Sequence, residues 1–333
     1  MEGTVLITGG NGSLAIPAVE RLLSKYPTYT VIATVRDDTK KDTNTERLLQ
    51  VIAKYPGAKC QLRKLDLSRM SEVATFADTL HSDIASARIP SLTAIICNAM
   101  TWSLADGIKL TPDGIETSLA INHLAHFNLV LRLLGNLKEA KDGRIVFLGS
   151  DAHANPGFGG LKPELPSDLE HLAHPPPDKK GQEASKGFYR YGISKLATIM
   201  TAHELDRKLH QDPELKNISV LTVDPGGLLD SRAFSQKDVP RLWSTIIRVV
   251  GWMYPIIKYV LPQMRFTAAA AAELVGFALD PEHAGKCGYY EVGKLSASSV
   301  ASQDEKLQVE LWKKSIGWCG IEQRDSALRL GSS

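Results

Sequence analysis

Six β-branched runs, separated by five longer amphipathic stretches, restrict this chain to very few folds. The runs are TVLIT (4–8), TVIATV (30–35), CQLRKLD (60–66), LTAIIC (92–97), RIVFLG (144–149) and ISVLTVD (218–224). Helical patterns lie between them near 14–25, 43–54, 69–86, 115–139 and 189–210, and GYYEV (288–292) precedes a last helix near 303–316. Strands alternating with helices need crossover connections, so they lie parallel and are buried on both faces. The predicted fold is α/β, a Rossmann-type doubly wound parallel sheet with helices on both faces. Residues 1–333 read as one domain with two insertions. One, at 155–186, is a polar loop or flap around HPPPDKK; the other, at 230–263, is an apolar and aromatic substrate lid.

Composition excludes several classes. A net charge of +2 is too small to point to nucleic acid or an anionic membrane. Cys60, Cys97, Cys287 and Cys319 lie far apart with no CxxC pair, so neither a structural metal nor a disulfide framework is expected. The first apolar run begins almost at the N-terminus, leaving no room for a signal peptide, and a reducing, cytoplasmic setting is expected. The stretch 242–262 is membrane-like in hydropathy, yet Arg248 and Lys258 interrupt it and Pro255 would kink it, so no transmembrane span is expected.

The first strand runs into TGGNGSLAIP (8–17) and then a helix. Amides at a helix N-terminus face an anion, and glycines let the backbone approach a pyrophosphate. Glycine also serves turns that merely need a positive φ. Two registers are open: in Thr-Gly-x-x-x-Gly-x-Gly the last two glycines become Ser13 and Ala15, whereas in Gly-x-Gly-x-x-Gly/Ala the residues Gly10, Gly12 and Ala15 all match. On the second register Ser13 offers its amide, with its hydroxyl as a further donor, and glycine at position 13 is neutral for affinity. The second strand ends in Arg36 then Asp37, an order that suits a 2′-phosphate and hence NADP(H). A solvated charged loop is the plainer explanation of Lys40 and Lys41 nearby. Asp66 falls at the end of the third strand, within reach of an adenine.

FYRYGISKLA (188–197) sets Tyr191 and Lys195 four apart, on one helix face. A phenol ionises near pH 10 and is a poor acid or base alone; an ammonium and an oxidised nicotinamide beside it would lower that pKa. Ser150 stands just past a strand's C-terminal end, where such sheets bind ligands, and Asn122 sits inside a helix that has no propensity reason to contain it.

Taken in order, INHLAHF, GRIVFLGSDAH and YGISKLA make the chain resemble a short-chain dehydrogenase/reductase of the retinol-dehydrogenase-like branch, similar to ketoreductases of filamentous-fungal natural-product pathways. The resemblance covers about Thr4 to Gly293. It implies Tyr191 as general acid/base, Lys195 as ribose anchor, Ser150 as the holder of the substrate oxygen, and Asn122 as support for a proton-relay water. For the cofactor it implies Gly9, Asn11, Gly12, Ser13 and Leu14 at the phosphates, Arg36 at the ribose, and Asp66, Leu67, Asn98 and Ala99 at the adenosine half. Tyr191, Lys195, Pro225, Gly226 and Leu228 would meet the nicotinamide half. Four departures stand out: Gly149 precedes Ser150 where many relatives have serine, Met100 replaces a glycine, Asp230 replaces a threonine, and the loop lengthens the distance from Ser150 to Tyr191. A homo-oligomer is possible by family analogy.

The implied reaction is NADPH-dependent reduction of a ketone. Trp243, Ile246, Ile247, Val250, Trp252, Met253, Tyr254 and Ile257 would line a pocket for a bulky hydrophobic substrate of polyketide, terpenoid, steroid or retinoid type. The same residues would equally serve a dimer contact or a membrane-surface contact. Two other activities share the motifs: a redox-inactive cofactor-binding protein, and an epimerase of the extended branch.

Overall fold

The computed structural model describes residues 2–39, 41–104, 106–157, 160–232, 261 and 263–330. Eight strands form one sheet. In chain order they are β1 (Thr4–Ile7), β2 (Thr30–Val35), β3 (Lys59–Lys64), β4 (Leu92–Cys97), β5 (Gly143–Leu148), β6 (Ile218–Asp224), β9 (Gly288–Glu291) and β10 (Lys294–Ser296). A separate short pair, β7 (Gly227–Leu228) and β8 (Met264–Arg265), lies between β6 and β9 in the chain. The sheet order is β10-β9-β6-β5-β4-β1-β2-β3, parallel except for the β9–β10 hairpin. The order reverses between β1 and β4, so the loops leaving these two strands part there and open a crevice.

Period-two alternation divides the core. Leu6, Ile95, Ile145, Phe147 and Val220 face one side, packed by α3 (Met70–Ala85), α5 (Ala125–Leu137), α7 (Glu183–Gln211) and α9 (Glu305–Cys319). Val5, Ile7, Ala94, Ile96, Val146, Leu148, Leu221 and Val223 face the other, under α1 (Ala15–Lys25), α2 (Thr43–Ala53) and α8 (Thr267–Leu279). Helix α1 shows why each helix docks: Ala15, Ala18, Val19, Leu22 and Leu23 are buried at the 3.6-residue period. Each such leucine contributes about 2 kcal/mol on leaving water.

Several elements differ from the sequence expectation. The helix expected over 115–139 is broken in character: a turn of α-helix, α4 (Thr117–Leu119), passes into a π-helical stretch, Ala120–Leu124, before α5. Helix α7 begins at Glu183, so the 155–186 insertion cedes its last residues to that helix and holds a short helix of its own, α6 (Glu170–Ala173). Helix α8 was not expected at all. Its sequence, TAAAAAELVGFAL, is buried along most of its length, so it lacks the polar face by which an amphipathic helix is read. Of the apolar lid, the segment 233–260 lies outside the described residues, and with it Trp243, Ile246, Ile247, Val250, Trp252, Met253, Tyr254 and Ile257. Among the described residues no helix is long and apolar enough to cross a membrane.

The β9–β10 turn carries local strain. Val292 has φ +46° and Gly293 φ +76°, the arrangement of a two-residue turn in which both central residues want to be asparagine or glycine. A β-branched residue there costs about 1–2 kcal/mol. Val292→Asn is expected to raise the unfolding free energy by about 1 kcal/mol, read from the urea midpoint at constant m.

Candidate active site

One cleft of about 950 Å³ runs along the strand C-termini across the switch point. Its walls include Gly9, Asn11, Gly12, Ser13 and Leu14 of the first turn, Arg36 after β2, and Asp66 and Leu67 after β3. They continue through Asn98 and Ala99 after β4, Ser150 after β5, Tyr191 and Lys195 of α7, and Pro225, Gly226 and Leu228 after β6. Every expected site residue except Asn122 therefore lines the same space.

The turn has the chemistry of a phosphate cradle. No side chain caps α1 and no acid stands in its first turn, so within the helix nothing offsets the positive end of its dipole. Gly9 has φ +63°, and a Cβ on Gly10 would lie 2.7 Å from that of Ala33. These two glycines are required for turn shape and close packing on β2. Ser13 is absent from the residues at positive φ, so a side chain there costs nothing in backbone strain. Its hydroxyl accepts the main-chain N–H of Arg232 at 3.0 Å. The sequence expectation has that hydroxyl donating to a pyrophosphate, and accepting from Arg232 leaves its proton free to do so.

A buried polar chain ties this turn to the catalytic helix. The Thr8 hydroxyl accepts from the amides of Asn98 and Ala99, both at 3.0 Å, so its own proton goes to His126 Nε2, 2.8 Å away. That leaves His126 Nδ1 to donate to the carbonyl of Asn122 at 3.2 Å, which fixes a neutral imidazole. Asn98 Nδ2 donates back to the carbonyls of Thr8 and Gly9, at 2.9 and 3.3 Å. Asn122, within the π-helical stretch, clamps Thr101: Oδ1 accepts its N–H at 2.7 Å and Nδ2 donates to its carbonyl at 2.9 Å. The same Nδ2 donates to Ser194 Oγ at 2.9 Å. The side chain of Asn122 thus braces the β4 exit against α7 from behind the cleft.

Tyr191 and Lys195 lie on the inward face of α7, both buried. Lys195 Nζ donates to the Leu148 carbonyl at 2.8 Å and sits 5.8 Å from the centre of the Tyr191 ring. Burial brings the Lys195 ammonium down to about 8, against the pull of the Asp224 carboxylate. Burial also holds the Tyr191 phenol well above its usual range, and a hydrogen bond with Ser150 offsets only part of this. After burial, the Asp224 and Asp151 carboxylates add to the rise; the sequence expectation of a lowered phenol counted an oxidised nicotinamide beside it as well as Lys195. Ser150 caps the short helical turn Asp151–His153, its Oγ accepting the Ala152 amide at 3.2 Å.

Three groups escaped the sequence reading. Asp224, buried at the end of β6, accepts from Gly226 N at 2.8 Å and Tyr289 Oη at 3.2 Å, and burial pushes its carboxyl up to about 6. Its place directly before Pro-Gly was the available signal. Trp102 and Phe188 form an aromatic wall around Tyr191, with ring centroids 5.3 and 6.1 Å away, joined by Met100, Leu104 and Ala152. Arg232 lies at the mouth of the phosphate turn. Asp230, which departs from the family's threonine, caps α8, accepting from Thr267 N and Thr267 Oγ1 at 2.8 Å each. Outside the cleft, folding gathers Asp206, His210 and Cys287, with ligand-type atoms within 4.8 Å of one another, a group that sequence spacing could not show.

Comparison with known proteins follows the same lines. Residues 3–161 match the family model described as short chain dehydrogenase, and residues 234–328 match that of the AcuH dehydrogenase domain. The short-chain dehydrogenase TIC 32 A of Brassica napus chloroplasts is 32% identical over 94% of this chain and 87% of that protein. The chain belongs to the short-chain dehydrogenases. The short-chain dehydrogenase iccH of Talaromyces variabilis is 28% identical over 98% of each chain. Among solved structures, the NADPH-bound carbonyl reductase from chicken fatty liver shares the fold with a TM-score of 0.58 and 17% identity, over 89% of this chain and 98% of that one. As a short-chain dehydrogenase this protein is an NAD(P)-dependent oxidoreductase, and its cleft has the uncapped helix end and glycine turn that a nicotinamide dinucleotide needs.

The buried histidines give the fold a pH limit. His126 is held down to about 4 and His123 to about 3, chiefly by burial, against an unfolded value near 6.5. Between these values the unfolded chain binds more protons, so stability is full above about pH 6.5 and is lost as pH falls. For His126 alone the loss reaches about 3 kcal/mol by pH 4. Urea unfolding from pH 7 to 4.5 is expected to show this slope, reduced by close to one proton in His126→Gln.

Proposed function

We propose that this dehydrogenase reduces the ketone of a bulky hydrophobic small molecule to an alcohol with NADPH. The observation that carries this reading is the placing of the Ser150 and Tyr191 hydroxyls on one cleft, beside Lys195 and inside the aromatic wall of Trp102 and Phe188. NADPH, when bound, supplies the hydride that reduces the carbonyl carbon. The protein supplies the rest. Ser150 Oγ donates to the carbonyl oxygen and orients it, and Tyr191, held protonated by its burial, gives its proton to that oxygen as the alkoxide develops. Lys195, fixed by the Leu148 carbonyl, offers its remaining N–H bonds to the cofactor ribose.

Gly9, Asn11, Gly12, Ser13 and Leu14 would receive the phosphates, and Arg36 the 2′-phosphate. Asp66, Leu67, Asn98 and Ala99 would enclose the adenosine half, while Pro225, Gly226 and Leu228 would back the nicotinamide. Asn122 takes part as a positioning residue through Thr101 and Ser194. The apolar wall supports a hydrophobic ketone, and the resemblance of INHLAHF, GRIVFLGSDAH and YGISKLA to fungal ketoreductases supports a role in natural-product biosynthesis. The chain is taken as one domain with insertions at 155–186 and 230–263.

Purified protein given NADPH and a panel of polycyclic, terpenoid and linear ketones is expected to consume NADPH with formation of the matching alcohol. Tyr191→Phe is expected to lower kcat at least about a hundredfold while keeping NADPH affinity. Full turnover in that variant, or epimerised product without NADPH loss, would sink the reading. The kcat/KM for NADPH, which reports the free enzyme, is expected to fall above about pH 8 as Lys195 loses its proton.

A further inference from the structure

We propose that Arg232 is a specificity-determining residue for this reaction, a second ligand of the cofactor's 2′-phosphate opposite Arg36; this rests on the reading that the enzyme uses NADPH. Arg232 follows β7, at the substrate end of the chain, yet its side chain reaches back across the phosphate turn. One guanidinium nitrogen donates to Asn44 Oδ1 in the first turn of α2, and another donates to the Asn11 carbonyl at 2.6 Å. Its main-chain N–H is fixed by Ser13 Oγ at 3.0 Å. Arg36, Asn11, Ser13, Asn44 and Arg232 all line the one cleft.

The partners place the guanidinium on the adenosine side of the turn. Asn11 Nδ2 donates to Asp42 Oδ1 at 3.2 Å and Thr45 Oγ1 at 3.0 Å, and Thr45 Oγ1 donates to the Asp37 carbonyl at 2.8 Å. Asn11 and the start of α2 are therefore laced to the loop that carries Arg36 and Asp37, where a ribose substituent is distinguished. Both neighbouring carboxylates, Asp37 and Asp42, line the same cleft and are held by main-chain amides. Asp42 accepts from the amides of Asn44 and Thr45, and Asp37 from that of Thr39.

The charge balance asks for an anion. Both side-chain bonds of Arg232 go to neutral oxygens, and among the described residues no carboxylate pairs with it. Partial burial and Arg47, along the adjoining groove, raise the cost of the charge, and the Asp42 carboxylate, which does not pair with it, offsets only part of this. A guanidinium in that state gains a phosphate as a fork-shaped, charge-assisted partner. A free 2′-phosphate between Arg36 and Arg232 meets both needs, since an unsubstituted ribose carries no charge to offer. Ser13 becomes intelligible as well. Its hydroxyl holds the Arg232 backbone in place, so serine in the glycine turn and arginine after β7 work as a pair.

The test is calorimetric titration of wild type, Arg232→Gln, Arg232→Lys and Ser13→Gly with NADPH, NADH, 2′,5′-ADP and ADP-ribose, each variant first checked for a cooperative thermal transition. Wild type is expected to favour NADPH. Arg232→Gln is expected to weaken NADPH and 2′,5′-ADP roughly tenfold or more, leaving NADH and ADP-ribose within about twofold. Arg232→Lys is expected to recover part of the loss, and Ser13→Gly to weaken NADPH about threefold, where sequence alone had it neutral. Equal weakening of NADH and ADP-ribose would place Arg232 on the pyrophosphate and overturn the proposal, as would unchanged NADPH affinity in Arg232→Gln. Wild type that binds NADH as tightly as NADPH would remove the NADPH reading itself, a result visible before any variant is compared.

Discussion

The Thr8 hydroxyl is the point on which this site depends. Two backbone amides give it protons, so its own proton must go to His126, and the direction of every bond down to Asn122 is then decided. Through that chain the end of β1, the exit of β4 and the π-helical turn become one rigid unit, and Ser194 extends it to the carbonyl of Tyr191 at 2.7 Å. Such a chain is costly to leave incomplete inside a protein, which is why it resists alternative packings. Its neutral imidazole lets it be buried without a counter-charge.

Burial does most of the electrostatic work around the reacting groups. It pushes the ammonium of Lys195 and the phenol of Tyr191 in opposite directions from their ordinary values, both toward their neutral forms. Asp224 is shifted toward its neutral form by the same cause. The three thus share a low-dielectric pocket in which charge is scarce and each added charge acts strongly. The aromatic wall of Trp102 and Phe188 packs against Tyr191 and lines the same cleft.

How far the sequence foretold this varies with the kind of residue. Buried parallel strands write themselves as β-branched runs, and helical spacing alone puts Tyr191 and Lys195 on one face, so the sheet and that pairing were legible. Helix α8 was not, because burial along most of its length erases the polar face that marks a helix. Asp230 shows the limit of reading by position: in sequence it stands out only as a departure from a threonine, and the fold uses it as a helix cap. Arg232, Trp102 and Phe188 stand far in sequence from the groups they touch, and nothing in local pattern reports a contact closed by tertiary structure. Asn122 was found by its oddity inside a helix, but its task, holding Thr101, needed coordinates.

The two-stranded pair β7–β8 has a consequence for how such enzymes diversify. Gly227 N bonds the Gln263 carbonyl at 2.9 Å and Leu229 N bonds that of Arg265 at 3.0 Å, so the chain departs and returns through the same clasp. A stretch whose two ends are already held together can change in length or composition at little entropic cost to the rest. The clasp therefore sets apart, between β7 and β8, a stretch of chain that can vary without disturbing the sheet on either side of it.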